Sequence, residues 1–169
     1  LPFTELNPAA MTTPRYLQEF TPPERLLMGA GPCNVHPRVL QAMSASMLGH
    51  LDPEFLAVME DVREMLQLVF QTKNAVTLPI SGTGTAGMEA ALLNVLEPGD
   101  EIIVGSNGYF AERIAEVAVR AGARPTLVSF AAGAPVDPDA VRAELRRHAR
   151  VKAVAVVHAE TSTGTLTPL

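Results

Sequence analysis

The sequence has no tryptophan, a single cysteine and no long apolar run. Cys33 has no second thiol with which to form an internal disulfide or to share a metal ion, so we expect no metal site. A lone cysteine is typical of a reducing compartment, and we expect a cytoplasmic protein. No apolar run approaches the roughly 18 residues that a membrane-spanning helix needs, and no signal-peptide segment is present. We therefore expect no membrane partner.

The formal net charge is −5, and Arg146 and Arg147 form the only cluster of basic residues. This balance argues against nucleic acid as a partner. With 169 residues, of which 47% are hydrophobic, the chain is long enough for one domain with a core. It begins at Leu1 rather than at methionine and stops at Leu169 in what resembles a loop, so we expect a piece of a longer protein.

Prolines recur in residues 1–25 and prevent a regular helix there. We predict an extended N-terminal arm over 1–25 that lies on another surface, for example a partner subunit. Two helices are then predicted, one over 37–43 and one that begins with Asp52 as its N-cap and Pro53 in its first turn. Apolar residues at helical spacing in the second helix are predicted to face the core. They are Phe55, Leu56, Met59, Val62, Leu66, Val69 and Phe70.

Short apolar segments then alternate with helical patterns. The predicted strands are 75–80, 102–104, 126–128 and 153–157, and the predicted helices are 88–96, 110–120 and 139–150. Continuous apolar strands separated by helices predict an α/β fold, with a mostly parallel sheet and helices on both faces. Ligands of such sheets bind beyond the carboxyl ends of the strands. The candidate loops are therefore 81–85, 105–110, 129–134 and 158–164.

Glycine and threonine dominate residues 81–87, between a predicted strand and a predicted helix. Free backbone N–H groups and the positive end of the helix dipole attract an anion at such a position, and glycine lets a ligand approach the backbone. The hydroxyls of Thr83 and Thr85 can add hydrogen bonds. The segment therefore predicts a phosphate site.

Several ligands are compatible with this loop. Residues 82–87 match the G-x-G-x-x-G pattern of dinucleotide sites, but no carboxylate occurs in 104–108, where the ribose partner is expected. The Gly-Lys-Ser or Gly-Lys-Thr of a nucleoside triphosphate loop is absent from the sequence. Tyr109 and Phe110 follow the neighbouring strand and favour a flat ring with one phosphate, such as pyridoxal phosphate. A tight turn without any ligand also remains possible.

Polar residues fill 158–164, after the last predicted strand, and are predicted to form a wall of the site. Each candidate also has a structural explanation. His158 is compatible with a structural hydrogen bond, Glu160 with capping of backbone groups, and Phe110 with a core position at a helix entry.

Five segments, in the same order, resemble the class V pyridoxal-phosphate aminotransferases, and within them the alanine–glyoxylate and serine–pyruvate aminotransferase group. These segments are residues 28–32, 81–91, 96–100, 107–110 and 158–164. The resemblance extends over roughly 20–169. It implies that residues 26–169 are the first half of the large, cofactor-binding domain of a fold type I enzyme, incomplete in this chain.

The resemblance also implies roles for individual residues. Thr83, Gly84 and Thr85 would hold the cofactor phosphate. Phe110 would stack on the pyridine ring, where the family often has another aromatic residue, and Thr161 would contact the ring near its phenolic oxygen. The loop bordering the amino-acid substrate would consist of Gly29, Ala30 and Gly31.

Transamination needs a lysine that forms an imine with the cofactor and a carboxylate that keeps the pyridine nitrogen protonated. Lys73 and Lys152 are the lysines of the sequence, and each precedes a predicted strand, away from the ligand side. The resemblance implies that both catalytic groups, and the arginine that binds the substrate carboxylate, lie beyond Leu169. We therefore expect no catalytic residue in this chain and no transamination by it alone.

The resemblance implies a homodimer that moves an amino group from alanine or serine to glyoxylate or pyruvate. Two alternatives remain. One is a half-domain that binds a nicotinamide dinucleotide. The other is a non-catalytic assembly module whose exposed sheet edge and proline-rich arm pair with a second chain.

Overall fold

A computed structural model describes residues 14–169. The chain divides into two compact units, Leu1–Val35 and His36–Leu169. Of the predicted arm, residues 1–13 lie outside the described part. The described part of the first unit contains one short 3₁₀ helix, Arg15–Leu17, and is otherwise irregular. The boundary between an arm and a domain at residues 25 and 26 stays a prediction.

Asn34 closes a loop within the first unit. Its side-chain oxygen accepts a hydrogen bond from the Leu27 N–H at 2.7 Å, and its side-chain nitrogen donates to the Arg25 carbonyl at 2.8 Å. The loop between them contains the predicted substrate residues Gly29 and Gly31. A Cβ built on either glycine would meet nothing within 4 Å, so there is free space beside this backbone.

The second unit contains the predicted alternation of helices and strands. Its helices are α1 (Pro37–Met43), α2 (Pro53–Val69), α3 (Gly84–Leu93), α4 (Tyr109–Arg120) and α5 (Pro138–Leu145). Its strands are β1 (Glu101–Ser106), β2 (Arg124–Ser129), β3 (Ala153–Val156), β4 (Ala159–Glu160) and β5 (Thr165–Leu166). Asp52 caps α2 as predicted, because its carboxylate accepts from the Glu54 N–H at 2.9 Å. Among residues 14–169, no helix is both long and apolar enough to cross a membrane.

The strands β2, β1 and β3 form a parallel sheet in that order, with Val104 opposite Leu127 and Ala155. This sheet, with helices packed on both faces, confirms the predicted α/β class. The strands β4 and β5 form a separate antiparallel pair. This pair was not predicted, because two-residue strands are too short to give a periodic pattern in the sequence.

The core lies on both faces of β1, since successive side chains of a strand point to opposite faces. Ile102 and Val104 face one side and Ile103 the other, and all are buried. The first cluster consists of Leu96, Ile102, Val104, Ala111, Ile114, Ala115, Ala118 and Ala123. The second consists of Ile103, Val136 and Val141. A Cβ on Gly105 would lie 2.8 Å from Val136 Cγ1, so glycine permits the close packing on the second face.

The prediction of a strand over 75–80 is wrong. The segment is irregular, and Val76, Leu78 and Ile80 are 79%, 55% and 48% exposed. A strand needs the N–H and C=O groups of a neighbour, and no described strand pairs with this segment. An apolar, β-branched composition is therefore not sufficient to make this segment a strand.

The apolar stripe of α2 was predicted to be core, and this is also wrong. No residue of α2 is buried, and Leu56, Met59 and Val69 are 53%, 40% and 72% exposed. The amphipathic pattern identifies the face that favours burial. It does not say whether the covering surface belongs to the same described residues.

Two helix boundaries also differ from the prediction. α3 begins at Gly84 rather than at residue 88, because Thr83 occupies the N-cap position and Gly84 already has helical geometry. α5 ends at Leu145 rather than at residue 150. Its last turn tightens, with the Arg147 N–H donating to the Glu144 carbonyl at 2.9 Å, before the chain enters β3.

His148 connects the end of α5 to the amino end of β1. Its Nε2 lies 3.2 Å from Glu144 Oε1, and its Nδ1 lies 3.2 Å from Glu101 Oε2. Hydrogen bonds to Glu144 and Glu101 raise the pKa of His148 above its ordinary value, against a smaller opposing effect of burial. Arg147 pairs with Glu144 at 2.9 Å and Arg124 with Glu101 at 3.4 Å, so both carboxylates also face a guanidinium.

We expect His148 to make stability depend on pH. Because its pKa is higher in the folded protein than in the unfolded chain, its contribution is fully present below about pH 6.5 and is lost as pH rises through the folded pKa. The melting temperature of the wild type should exceed that of His148→Gln most strongly in acid, and the two should converge in alkali. The control is His50→Gln, at an exposed position. A difference that does not change with pH would contradict the ion pair.

Candidate functional site

The N-terminus of α3 carries the predicted phosphate loop. Thr83 is the N-cap residue, and its side chain makes no capping hydrogen bond. The Gly87 N–H donates to the Thr83 carbonyl at 3.2 Å, so the N–H groups of Gly84, Thr85 and Ala86 precede the first helical bond and have no helical acceptor. The first turn contains no acidic residue. The positive end of this helix is therefore available to an anion.

Gly82 allows the loop to pack against this helix. Its φ is 159°, and a Cβ at this position would lie 2.9 Å from the Ala86 Cβ. Packing alone thus explains the first glycine of the apparent dinucleotide pattern. No bound dinucleotide is needed to explain a glycine at this position.

A cleft of about 410 Å³ lies beside the N-terminus of α3. Its lining residues are Gly84, Thr85, Met88, Phe110, Val157, Ala159 and Thr161. Gly84, Thr85, Phe110 and Thr161 were predicted from the sequence to contact one cofactor. The fold brings these four residues together although they come from three separate segments, and Thr83 adjoins them as the N-cap of α3.

The N-terminus of α4 brings one aromatic ring to the cleft. Phe110 is partly buried and lines it, whereas Tyr109 is 58% exposed and does not. The two rings contact each other edge to face, with centroids 5.3 Å apart and an angle of 84° between their planes. Of the two neighbouring aromatic residues, the resemblance named Phe110, and Phe110 is the one that lines the cleft.

Glu160 is fully buried, and its carboxylate accepts hydrogen bonds from two segments. Oε2 accepts from the N–H groups of Phe110 at 3.1 Å and Ala111 at 3.2 Å. Oε1 accepts from the N–H of Ser162 at 3.1 Å and from its hydroxyl at 2.5 Å. Capping of backbone groups by Glu160, one of the two predicted explanations, is confirmed. The carboxylate compensates the positive end of α4, which leaves α3 as the uncompensated helix end at the cleft.

Gly108 is the N-cap residue of α4 and makes room for this carboxylate. A Cβ on Gly108 would lie 2.6 Å from Glu160 Cγ and 2.7 Å from Ser162 Oγ. Ser162 Oγ in turn accepts from the Tyr109 N–H at 3.0 Å. This contact between the two loops was not predicted from the sequence. Its one local signal was a glycine directly before two aromatic residues.

Asn107 is buried between β1 and α4. Its Nδ2 donates to the Ala134 carbonyl at 2.9 Å, and its backbone carbonyl lies 3.5 Å from Thr163 Oγ1. Its Oδ1 is buried and has no hydrogen-bond partner among the described residues. The amide therefore acts mainly as a donor that ties the end of β1 to the loop before α5.

His158 has a structural role. Its Nδ1 lies 2.7 Å from the Thr167 carbonyl, and the Thr167 N–H donates to the His158 carbonyl, also at 2.7 Å. A carbonyl accepts, so Nδ1 carries the proton. His158 does not line the cleft, and the structural explanation of this residue is confirmed.

The two lysines do not line the cleft. The Lys152 N–H donates to the Glu101 carbonyl at 2.8 Å, at the amino ends of β3 and β1, as predicted. Lys73 precedes the segment 75–80, which is not a strand, so the predicted reason for its position does not hold. Among the described residues, no group of three or more His, Cys, Asp or Glu side chains could hold a metal ion. The roles of Gly29, Ala30 and Gly31 stay predictions.

The chain as a whole is similar to a known protein family. The family model Aminotransferase class-V matches residues 26–169, most of the chain. The chain belongs to the class V aminotransferases. Members of this class depend on pyridoxal phosphate. The family predicted from five short segments is therefore confirmed.

Individual class V relatives are similar over nearly the whole chain. Alanine–glyoxylate aminotransferase of Mus musculus is 45% identical over 147 residues, which cover 87% of this chain and 35% of that protein. (S)-Ureidoglycine–glyoxylate transaminase of Bacillus subtilis (strain 168) is 41% identical over 152 residues, which cover 90% of this chain and 36% of that protein. The chain spans little more than a third of the length of these curated relatives.

Solved structures of aminotransferases share the fold. Alanine–glyoxylate aminotransferase from Nostoc sp. matches with a TM-score of 0.85 and 44% identity, over 95% of this chain and 43% of that chain. Pyridoxamine–pyruvate aminotransferase from Mesorhizobium loti matches with a TM-score of 0.75 and 27% identity, over 83% of this chain and 36% of that chain. The predicted fold of pyridoxal-phosphate-dependent transferases is confirmed.

We expect Asn107→Asp to destabilise the fold by about 3 kcal/mol or more at neutral pH. The change replaces the Nδ2 donor of Asn107 by an oxygen of a buried carboxylate. This oxygen faces the Ala134 carbonyl and has no hydrogen to donate to it. The loss should shrink in acid, where a protonated carboxyl can donate. Denaturant unfolding at several pH values measures this effect.

The matched control is Asn94→Asp. Asn94 also donates from Nδ2 to a carbonyl, that of Ala90 at 2.7 Å, but it is exposed. We expect a loss within about 1 kcal/mol, because water can solvate the new charge. Equal losses in the two variants would show that burial of Asn107 is not the cause.

Proposed function

We propose that the protein containing this chain is a pyridoxal-phosphate-dependent transaminase. It would move an amino group from a small amino acid, alanine or serine, to a 2-oxo acid, glyoxylate or pyruvate. The observation that carries the proposal is one cleft that combines the free N–H groups of Gly84 and Thr85 with Phe110 and Thr161. The names of the class V relatives support the reaction type.

The donor set of the cleft fits this cofactor. A phosphate would accept from the N–H groups of Gly84 and Thr85 and from the Thr85 hydroxyl, at the helix end that has no negative residue in its first turn. Phe110 would cover one face of the ring, and Thr161 would offer a hydroxyl to its edge. A volume of about 410 Å³ lies within the range of small-molecule sites.

When bound, pyridoxal phosphate supplies a ring that accepts the electrons of the bond broken in amino-group transfer. The residues of this chain contribute binding and orientation. Gly84 and Thr85 anchor one end of the ligand, Phe110 fixes the plane of the ring, and the α3 dipole stabilises the phosphate charge. Gly29, Ala30 and Gly31 are proposed to border the amino-acid substrate.

The proton-transferring lysine, the carboxylate beside the ring nitrogen and the substrate-binding arginine are proposed to lie beyond Leu169. Neither Lys73 nor Lys152 lines the cleft. The cleft residues of this chain are therefore proposed to form only half of an active site, which the residues beyond Leu169 would complete.

A homodimer is also proposed. The exposed apolar side chains of α2, among them Leu56, Leu68 and Val69, support a covering surface outside the described residues. A cytoplasmic location is proposed on the basis of the single cysteine, Cys33, which is exposed and unpaired.

A transamination assay tests the activity. We expect the natural gene product that contains this sequence to form pyruvate from alanine when glyoxylate and pyridoxal phosphate are supplied. The 169-residue chain alone should give no turnover above that of free pyridoxal phosphate, because it contains no lysine at the cleft. Turnover by the chain alone would contradict the division of the site, and no turnover by the gene product would contradict the activity.

A binding titration tests the ligand. We expect Phe110→Leu to weaken the binding of pyridoxal phosphate about fivefold, equivalent to about 1 kcal/mol, because it removes ring stacking. The control is Tyr109→Leu, on the exposed neighbouring ring, which should bind like the wild type. Absorbance of the ligand reports binding. Tight binding of a nicotinamide dinucleotide, but not of pyridoxal phosphate, would instead favour the dinucleotide alternative.

A further inference from the structure

Glu160 is an unusual charge for a site wall, because it is completely buried. A buried carboxylate is costly unless several donors compensate it. Here the compensation comes from the N–H groups of Phe110, Ala111 and Ser162 and from the Ser162 hydroxyl, within 2.5–3.2 Å. All donors of this set belong to two of the three segments that contribute residues to the cleft. The carboxylate therefore fixes the position of these two segments relative to each other.

The carboxylate joins residues that are far apart in sequence. Glu160 lies next to Thr161, whose neighbours Ala159 and Val157 also line the cleft. Phe110 is 50 residues earlier, yet its own N–H is bound to Glu160 Oε2. One side chain therefore fixes the backbone of Phe110 relative to the backbone of Thr161.

We infer that Glu160 is a positioning residue of the cofactor site, which holds the Phe110 ring at the correct distance and angle from Thr161. It does not touch the cleft, which is lined by its neighbours, and acts through the N-terminus of α4. The inference rests on the proposed function, because it assigns a purpose to the spacing of two proposed cofactor contacts.

The chemistry of the site requires a carboxylate rather than an amide of the same shape. Each oxygen of Glu160 accepts from two donors, and an ionised carboxylate has acceptors only. In Glu160→Gln, the NH₂ group would face either the amides of Phe110 and Ala111 or the Ser162 amide. The hydrogen bonds to one of the two oxygens would be lost, although the volume of the side chain would not change.

The test compares Glu160→Gln with a control, Glu112→Gln, in the natural gene product. Glu112 lies in the first turn of the same helix, but it is exposed, so the control removes the same charge near the same helix end. We expect Glu160→Gln to bind pyridoxal phosphate about tenfold more weakly. At saturating ligand it should also reduce the circular dichroism induced in the ligand's visible absorption band. The control should match the wild type in both measurements.

Hydrogen exchange gives a readout that does not need the ligand. The amides of Phe110 and Ala111 should exchange about tenfold faster or more in Glu160→Gln, whereas those of the central strand, such as Val104, should keep their protection. A merely structural role predicts a general loss of protection and, at saturation, unchanged circular dichroism per bound ligand. That result would overturn the inference.

The outcomes separate the inference from the proposed function. If the wild type does not bind pyridoxal phosphate, the proposed function fails, and the inference fails with it. If the wild type binds and Glu160→Gln binds equally well, with unchanged circular dichroism, only the inference fails. Should Glu160→Gln not fold, Ser162→Ala decides, because it removes the hydroxyl between Glu160 and the Tyr109 N–H. A decrease in circular dichroism smaller than that expected for Glu160→Gln would support the inference, and no decrease would overturn it.

Discussion

The burial of β1 on both faces is the constraint on which the other elements depend. Ile102 and Val104 hold α4 against one face, and Ile103 holds α5 against the other. Because β3 pairs with β1 in parallel, the segments that follow both strands emerge at the same edge of the sheet. Phe110 follows β1 and Thr161 follows β3, and this pairing brings them to one cleft.

Two helices begin at this cleft, and their positive ends have different partners. The N-terminus of α4 is compensated within the protein by the buried Glu160. The N-terminus of α3 has no acidic residue in its first turn and keeps its N–H groups free. The difference supports the proposal that an anionic ligand binds at α3 with its ring near α4. The positive end of α4 thus faces two carboxylates, the buried Glu160 and the exposed Glu112, whereas the first turn of α3 contains none.

Local chemistry explains which predictions were correct. The N-caps Asp52 and Asp137 each hydrogen-bond to the N–H two residues later, and prolines follow them at the first helical position, so the starts of α2 and α5 were predictable. The wrong predictions concern partners. The segment 75–80 has strand composition without a strand beside it, and α2 has an apolar stripe without a described surface over it. Composition indicates which secondary structure a segment favours, but not which residues it contacts in the folded protein.

The sequence by itself determined the α/β class, the family and four of the residues that gather at the cleft, Gly84, Thr85, Phe110 and Thr161. Only the tertiary structure decided that Glu160 joins α4 to the loop after β3, and that the apolar stripe of α2 is exposed within the described residues. The physical reason is the separation in sequence between the residues that interact. Caps and helices depend on residues a few positions apart, whereas the bond between Glu160 and Phe110 spans 50 residues and exists only because the parallel register of β1 and β3 brings them together.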